Sequence, residues 1–167
     1  LAVANSSLNS VSVLYGRGDG TFEAPERVTV SDSSVVFVTT ADINSDGRMD
    51  LVTANQSNNG VSVLINTASG GFTEETHFTT DITPNELAVG DFNRDNNLDI
   101  AIAGSQNGQG KFSIRWQHAD GDLTFDNKAV YDVGGTDATS IVADRIDTND
   151  SRLDVAVTID DGSNGYV

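Results

Sequence analysis

The chain has no cysteine, two prolines, one methionine and one tryptophan in 167 residues, and aromatic residues make up only 7%. Without cysteine there is no disulfide scaffold and no thiol nucleophile, though this says little about compartment. Basic residues are scarce: 9 Lys plus Arg against 25 Asp plus Glu give a formal charge of −16. A field of that sign repels nucleic acid and anionic membrane surfaces, so neither is an expected partner, and it attracts cations. No apolar run approaches the ~20 residues of a membrane helix, so no membrane insertion is expected. A basic segment followed by an apolar stretch is also missing, so no signal peptide is read. A chain starting at Leu1, inside an expected strand, reads as a mature or excised piece of something larger.

What the chain does contain is repetition. Leu1-Ala2-Val3-Ala4-Asn5 matches Leu51-Val52-Thr53-Ala54-Asn55, Ile100-Ala101-Ile102-Ala103-Gly104 and Val155-Ala156-Val157-Thr158. Val11-Ser12-Val13-Leu14 matches Val61-Ser62-Val63-Leu64 and Phe112-Ser113-Ile114-Arg115. A turn ending in Phe recurs as Gly18-Asp19-Gly20-Thr21-Phe22, Ser69-Gly70-Gly71-Phe72 and Gly121-Asp122-Leu123-Thr124-Phe125. The units run approximately 1–50, 51–99 and 100–154, with a partial unit 155–167. Within each, short runs rich in Val, Ile, Phe and Thr predict strands and almost no helix. The second unit predicts strands near 49–55, 60–67, 72–79 and 85–92, with a type I′ hairpin turn at Asn59-Gly60. Runs that are apolar on both faces, such as Ile100–Ala103, fit sheets covered on both sides. Four-stranded units of this length predict an all-β fold of β-propeller blades, since stacked blades bury the faces that one blade leaves open.

Between expected strands lies a spaced set of oxygen donors. Asp42-Ile43-Asn44-Ser45-Asp46-Gly47-Arg48-Met49-Asp50 and Asp91-Phe92-Asn93-Arg94-Asp95-Asn96-Asn97-Leu98-Asp99 share the form D-x-N-x-D-[GN]-x-x-D. A hard cation such as Ca²⁺ takes six to eight oxygens. Positions 1, 3 and 5 (Asp42, Asn44, Asp46; Asp91, Asn93, Asp95) converge when such a loop curls. Position 7 offers a carbonyl (Arg48; Asn97) and position 9 a last carboxylate (Asp50; Asp99). Position 6 must turn sharply, which suits Gly47 and next best Asn96. Strand-like flanks, and Thr53 and Ile102 where an EF-hand has its twelfth-position Glu, argue against an EF-hand. Asp and Asn also populate ordinary turns, but that does not explain their recurrence at the same four positions. A third copy, Asp144 to Asp154, carries two extra residues; Asp144, Asp147, Asp150 and Asp154 are its candidate ligands, with Ser151 at the turn position.

The phrase Ala88-Val89-Gly90-Asp91-Phe92-Asn93 through Leu98-Asp99-Ile100-Ala101-Ile102-Ala103 resembles the FG-GAP or VCBS repeat, the blade of integrin-α-like β-propellers, as does the turn Gly18–Phe22. The resemblance spans the chain in about three units and implies Ca²⁺ in the loops on one face. It also implies recognition of proteins or sugars by the opposite face and rim. Because most such propellers have seven blades, it implies a fragment, an open arc, or self-association that completes the ring.

Other features carry less. Arg17-Gly18-Asp19 overlaps the expected Phe turn. His77 and His118 fall at different phases without partner motifs, and no G-x-S-x-G elbow is present. The carboxylate spacing suits metal rather than a glycosidase pair. An enzyme is therefore not expected. Trp116 reads as core more than as a sugar platform, and Asn5-Ser6-Ser7, Asn55-Gln56-Ser57 and Asn149-Asp150-Ser151 match the glycosylation sequon, a match that arises readily by chance in an Asn- and Ser-rich chain. The polar turns 56–59 and 105–109 are candidate recognition surfaces. The expected function is a calcium-stabilised module for protein or carbohydrate recognition or adhesion. The alternatives are a self-assembling surface or filament module, and an accessory domain of a polysaccharide-degrading enzyme. Calcium-dependent loops work best where Ca²⁺ is plentiful, so the expected address is extracellular or the cell surface.

Overall fold

The structure is a computed structural model and describes residues 1–118, 123–147 and 150–163. Gly121 and Asp122 of the third Phe turn, and Asn149 of the third sequon, lie outside the described residues. The described residues form strands and no helix, and the chain divides into two compact units, Leu1–Thr79 and Thr80–Val167.

The first unit holds two antiparallel sheets. One is the meander β1 (Ala2–Asn5), β2 (Ser10–Val13) and β3 (Glu26–Thr29); the other is β4 (Val35–Ala41), β5 (Asp50–Asn55), β6 (Gly60–Asn66) and β7 (Phe72–Thr79). The second unit repeats the four-stranded order in β8 (Thr83–Gly90), β9 (Asp99–Gln106), β10 (Gln109–Gln117) and β11 (Phe125–Asp132), and adds the pair β12 (Asp137–Asp144) and β13 (Asp154–Asp160). The expected four-stranded antiparallel blade is therefore present.

Its phase differs from the expected grouping. Residues 85–92 open the next sheet as β8, while β4 is the first strand of the sheet that contains β5, β6 and β7. A period fixes the spacing of a repeat but not the point where one sheet ends. That point is set by the ladder: Ala41 pairs with Asp50 and Gly90 with Asp99. The aspartate loops are thus hairpin connections within a sheet, not links between sheets.

Each core follows from the alternation of the strands. In the first unit Val11, Val13, Val28 and Val30 meet Val35, Leu51 and Leu64, each of which stabilises by roughly 1.5–3 kcal/mol when removed from water. In the second unit the contact is made of smaller residues, Ala88, Ala101 and Ala103 against Ala138 and Ile141. The central β5 is buried along its whole length, and Ile100–Ala103 of β9 are all fully buried, as the two-faced apolar runs require.

One turn departs from expectation. Gly60 pairs with Asn55 inside the ladder, and the β5–β6 connection is a four-residue loop whose last member, Asn59, is left-handed at φ 51°. The two-residue form occurs instead at Asn107-Gly108, with φ 55° and 71°, between the paired Gln106 and Gln109. The physical cause at Gly60 is space. A Cβ there would lie 2.3 Å from Asp32 Oδ2 and 2.7 Å from His77 Nε2, so the glycine serves the ladder rather than the bend.

Candidate metal centre

Asp42 leaves the end of β4 and folds its loop around itself. Its Oδ1 accepts from Asp46 N–H at 2.9 Å and its Oδ2 from Gly47 N–H at 2.8 Å. Ser45 (φ 58°) and Gly47 (φ 85°) supply the left-handed steps that aim those N–H groups inward. Asn44 Oδ1 also accepts from Asp46 N–H, and Asp46 Oδ1 from Arg48 N–H. Asp50 is fully buried: its Oδ2 accepts from Ile43 N–H at 3.0 Å and its Oδ1 from Asn66 N–H at 2.8 Å, tying the loop to β6.

The second loop repeats these bonds and adds one. Asp91 Oδ1 accepts from Arg94 and Asp95 N–H, and Oδ2 from Asn96 N–H. Arg94 (φ 65°) and Asn96 (φ 68°) are left-handed, so Asn96 does take the role expected of it. Asn93 Oδ1 accepts from Asp95 N–H, and Asp95 Oδ1 from Asn97 N–H. The fully buried Asp99 accepts from Phe92 N–H and from Gln117 N–H on β10, each at 3.0 Å.

Burial is the main reason that the Asp50 carboxyl is raised, with the charges of Asp46 and Asp42 adding to it; hydrogen bonds from Asn66 and Ile43 oppose the rise. Asp99 is pushed up to about 6 by burial, with Asp95 and Asp91 adding to it against hydrogen bonds from Gln117 and Phe92. Asp95 is lowered chiefly by the Asn97 N–H. For Asp46 burial acts upward, but hydrogen bonds from Asn44 and Arg48 and the charge of Arg48 outweigh it, so its carboxyl is lowered.

Among the described residues no three His, Cys, Asp or Glu side chains already form a metal cluster. The loop carboxylates are instead engaged by the chain's own donors: Asn44 Nδ2 on Asp46 Oδ2 at 2.8 Å, Asn93 Nδ2 on Asp95 Oδ2 at 2.9 Å, and the Arg48 guanidinium on Asp46. In kind the donors fit a hard cation, being carboxylate, amide and carbonyl oxygens only, with one buried carboxylate per loop held up partly by its neighbours' charge.

The third loop is built differently. Asp144 pairs with Asp154 on the ladder, where Ala41 and Gly90 stand in the others, so Arg145 occupies the position of Asp42 and Asp91. The Ala-Asp that ends both β4's loop entry and this strand misaligns the two by one residue in sequence. Ile146 N–H donates to Asp154 Oδ2 at 2.9 Å, as Ile43 does to Asp50, and Asp147 N–H joins it at 3.1 Å. Asp150 Oδ1 accepts from Arg152 N–H, the counterpart of the Asp46–Arg48 bond.

Residues that sequence reasoning passed over gather at the opposite end of the first unit. Asp32, 4% exposed, accepts from Ser33 N–H and Asn58 Nδ2, and its Oδ2 lies 2.9 Å from His77 Nε2. No local signal marks a pair 45 residues apart; the glycine at 60 that makes room for it is the nearest clue. Asn58, in a turn expected to face a ligand, is spent on this knot, and Gln106 of the other such turn donates to Asp81 O. Arg17-Gly18-Asp19 forms the exposed tip of the β2–β3 connection, with Asp19 Oδ1 accepting from both Thr21 N–H and Thr21 Oγ1. Trp116 is half-buried on β10, and Asn55 of the second sequon is fully buried.

The FG-GAP-like repeat matches residues 1–53 and 42–102, and the overlap of the two matches begins with the loop 42–50. No curated protein matches the chain. With residues 1–102 of 167 matched and each four-stranded sheet opened by a hairpin that carries the aspartate loop, this chain belongs to the FG-GAP-like repeat family, and its sheets are β-propeller blades.

Proposed function

We propose that loops 42–50 and 91–99 each hold a Ca²⁺ ion and that the chain is a calcium-stabilised recognition module, not an enzyme. It acts outside the cell or at its surface on a protein or glycan ligand. The observation that carries this reading is the pair of buried aspartates, Asp50 and Asp99, each beside two further carboxylates of its own loop. Asp42, Asn44, Asp46, the Arg48 carbonyl and Asp50 would hold one ion, and Asp91, Asn93, Asp95, the Asn97 carbonyl and Asp99 the other. When bound, calcium supplies the positive charge that the cluster lacks. The chain's own residues wrap the loop on Asp42 or Asp91 and fasten it to the sheet through Asp50 or Asp99.

Thermal unfolding in Ca²⁺, Mg²⁺ and chelator tests this. A ligand bound to the native state alone adds about 2.7 kcal/mol at a hundredfold excess over its Kd. The expected result is a rise in Tm with Ca²⁺ that chelator removes and Mg²⁺ does not reproduce; equal melting in all three ends the reading. A glycan and protein binding screen in calcium then addresses the ligand. Self-association is the second reading, favoured by apolar side chains left exposed on the first and last sheets: Val3 at 41%, Val142 at 55% and Ile159 at 45%. Light scattering across a concentration series reports it.

A further inference from the structure

We infer that Asn107, at the tip of the β9–β10 hairpin, is a site of spontaneous deamidation in the folded protein, and that the fold protects the same dipeptide at Asn59-Gly60. Asn-Gly occurs at 59–60, 107–108 and 164–165, the last outside the described residues. The reaction needs an unhindered backbone nitrogen beside a free carboxamide. The nitrogen of the following residue attacks the asparagine Cγ. A bond from that nitrogen to Cγ forms, the Cγ–Nδ2 bond breaks, and the proton of the attacking nitrogen leaves with Nδ2 as ammonia. Water then opens the five-membered imide at either carbonyl, giving aspartate or isoaspartate. Glycine favours the attack because it has no Cβ to block the approach and its backbone turns freely.

The β9–β10 tip meets these conditions. Asn107 and Gly108 are both exposed and form the two-residue loop between the paired Gln106 and Gln109. Among the described residues neither the Asn107 side chain nor the Gly108 N–H makes a hydrogen bond. A Cβ at Gly108 would have nothing within 4 Å.

At Asn59-Gly60 the conditions are reversed. Gly60 is buried within the ladder, paired with Asn55 on one side and Thr79 on the other. Asp32 Oδ2 and His77 Nε2 wall it in, 2.3 and 2.7 Å from where a Cβ would stand. Asn59 N–H donates to Gln56 O at 3.2 Å, and the adjacent Asn58 is fixed on Asp32. The Gly60 nitrogen can reach Asn59 Cγ only after this end of the ladder opens, so its reaction is slowed by the opening equilibrium. Backbone conformation does not separate the two sites, since Asn59 and Asn107 are both left-handed, at φ 51° and 55°. Pairing and burial of the glycine do.

The reaction puts a carboxylate into the polar turn 105–109 and, as isoaspartate, an extra backbone carbon into a loop whose two residues set the pairing of Gln106 with Gln109. That turn therefore changes charge and shape as the molecule ages.

Peptide mapping by mass spectrometry is the test, with a separation that resolves aspartyl from isoaspartyl peptides. The full chain is held at neutral pH and physiological temperature, once folded and once in denaturant. In the folded chain the Asn107 peptide should lose its amide, and the Asn59 peptide should do so at least roughly tenfold more slowly. In denaturant the two should react at similar rates, since each asparagine follows an uncharged amide residue, Asn58 or Gln106. Equal rates in the folded chain overturn the inference, as does an Asn107 amide that survives folded and is lost in denaturant. The same tenfold difference in denaturant would assign the contrast to local sequence and overturn the protection by the fold.

Discussion

The sheets β4–β7 and β8–β11 are built to one plan and differ in how their central strands end. In the first, β5 closes with Asn55, whose Nδ2 donates to Ser62 Oγ on β6 at 2.9 Å, while Thr53 Oγ1 donates to Asn55 Oδ1 at 3.0 Å. The meander β1–β3 repeats the bond as Asn5 to Ser12. In the second, the place of Asn55 is taken by Gly104, and the matching Ser113 Oγ is buried with no hydrogen-bond partner among the described residues. The cause is a backbone approach: a Cβ at Gly104 would lie 2.0 Å from Thr83 O and 3.1 Å from Pro84 Cα. Pro84 sits at a bulge on the edge strand β8, where a missing N–H is tolerated. The aspartate brace to the third strand is kept in both sheets, while the polar tie at the far end is given up where the neighbouring backbone needs the room.

The largest contrast should come from the two glycines. Gly104→Ala drives a methyl into backbone and should cost about 3 kcal/mol. Gly60→Ala meets only the ends of the Asp32 and His77 side chains, which can shift, and should cost about 1–2 kcal/mol. Denaturant midpoints of the two variants decide it, and equal losses would remove the distinction between backbone and side-chain crowding.

A somewhat smaller effect belongs to Asp99. Its folded pKa of about 6 lies above the ordinary value near 3.9, so in chelator the folded state holds the proton more tightly than the unfolded one. The resulting stabilisation is complete below about pH 4 and is lost as pH rises through about 6, on the order of 2–3 kcal/mol. The decline should be absent from Asp99→Asn and should give way to the opposite slope in calcium, because the bound ion favours the carboxylate. Melting curves from pH 4 to 7 with and without chelator measure it.

The smallest contrast is at the polar tie. Ser62→Ala strands the buried Asn55 amide and should cost about 1 kcal/mol, whereas Ser113→Ala removes an unsatisfied hydroxyl and should be neutral or slightly stabilising. Equal costs at the two serines would mean that Ser113 has a partner after all.

Much of this protein was legible as a string of residues. The recurrence of Val-Ser-Val and of the aspartate spacing revealed antiparallel four-stranded units, because alternation and turn chemistry are local properties. The same spacing marked Asp42 to Asp50 and Asp91 to Asp99 as loops that curl, and Gly47 and Asn96 as their left-handed steps, because one residue's φ depends mainly on its own Cβ.

Pairing across the chain was not legible. Only the ladder shows that Asp144 stands opposite Asp154 and that Arg145 leads the third loop, since one inserted residue moves every side chain relative to its partner without altering the look of the motif. The knot of Asp32 with His77, the crowding that forbids a side chain at Gly104, and the reach of Arg94 to Ser151 belong to the same class. Each joins residues distant in sequence, and such contacts exist only once the backbone has brought the strands together. Local composition thus determined the strands, the turns and the chemistry of the loops, while tertiary structure alone decided which carboxylates are buried, which are already neutralised, and where a missing side chain makes room for a neighbour.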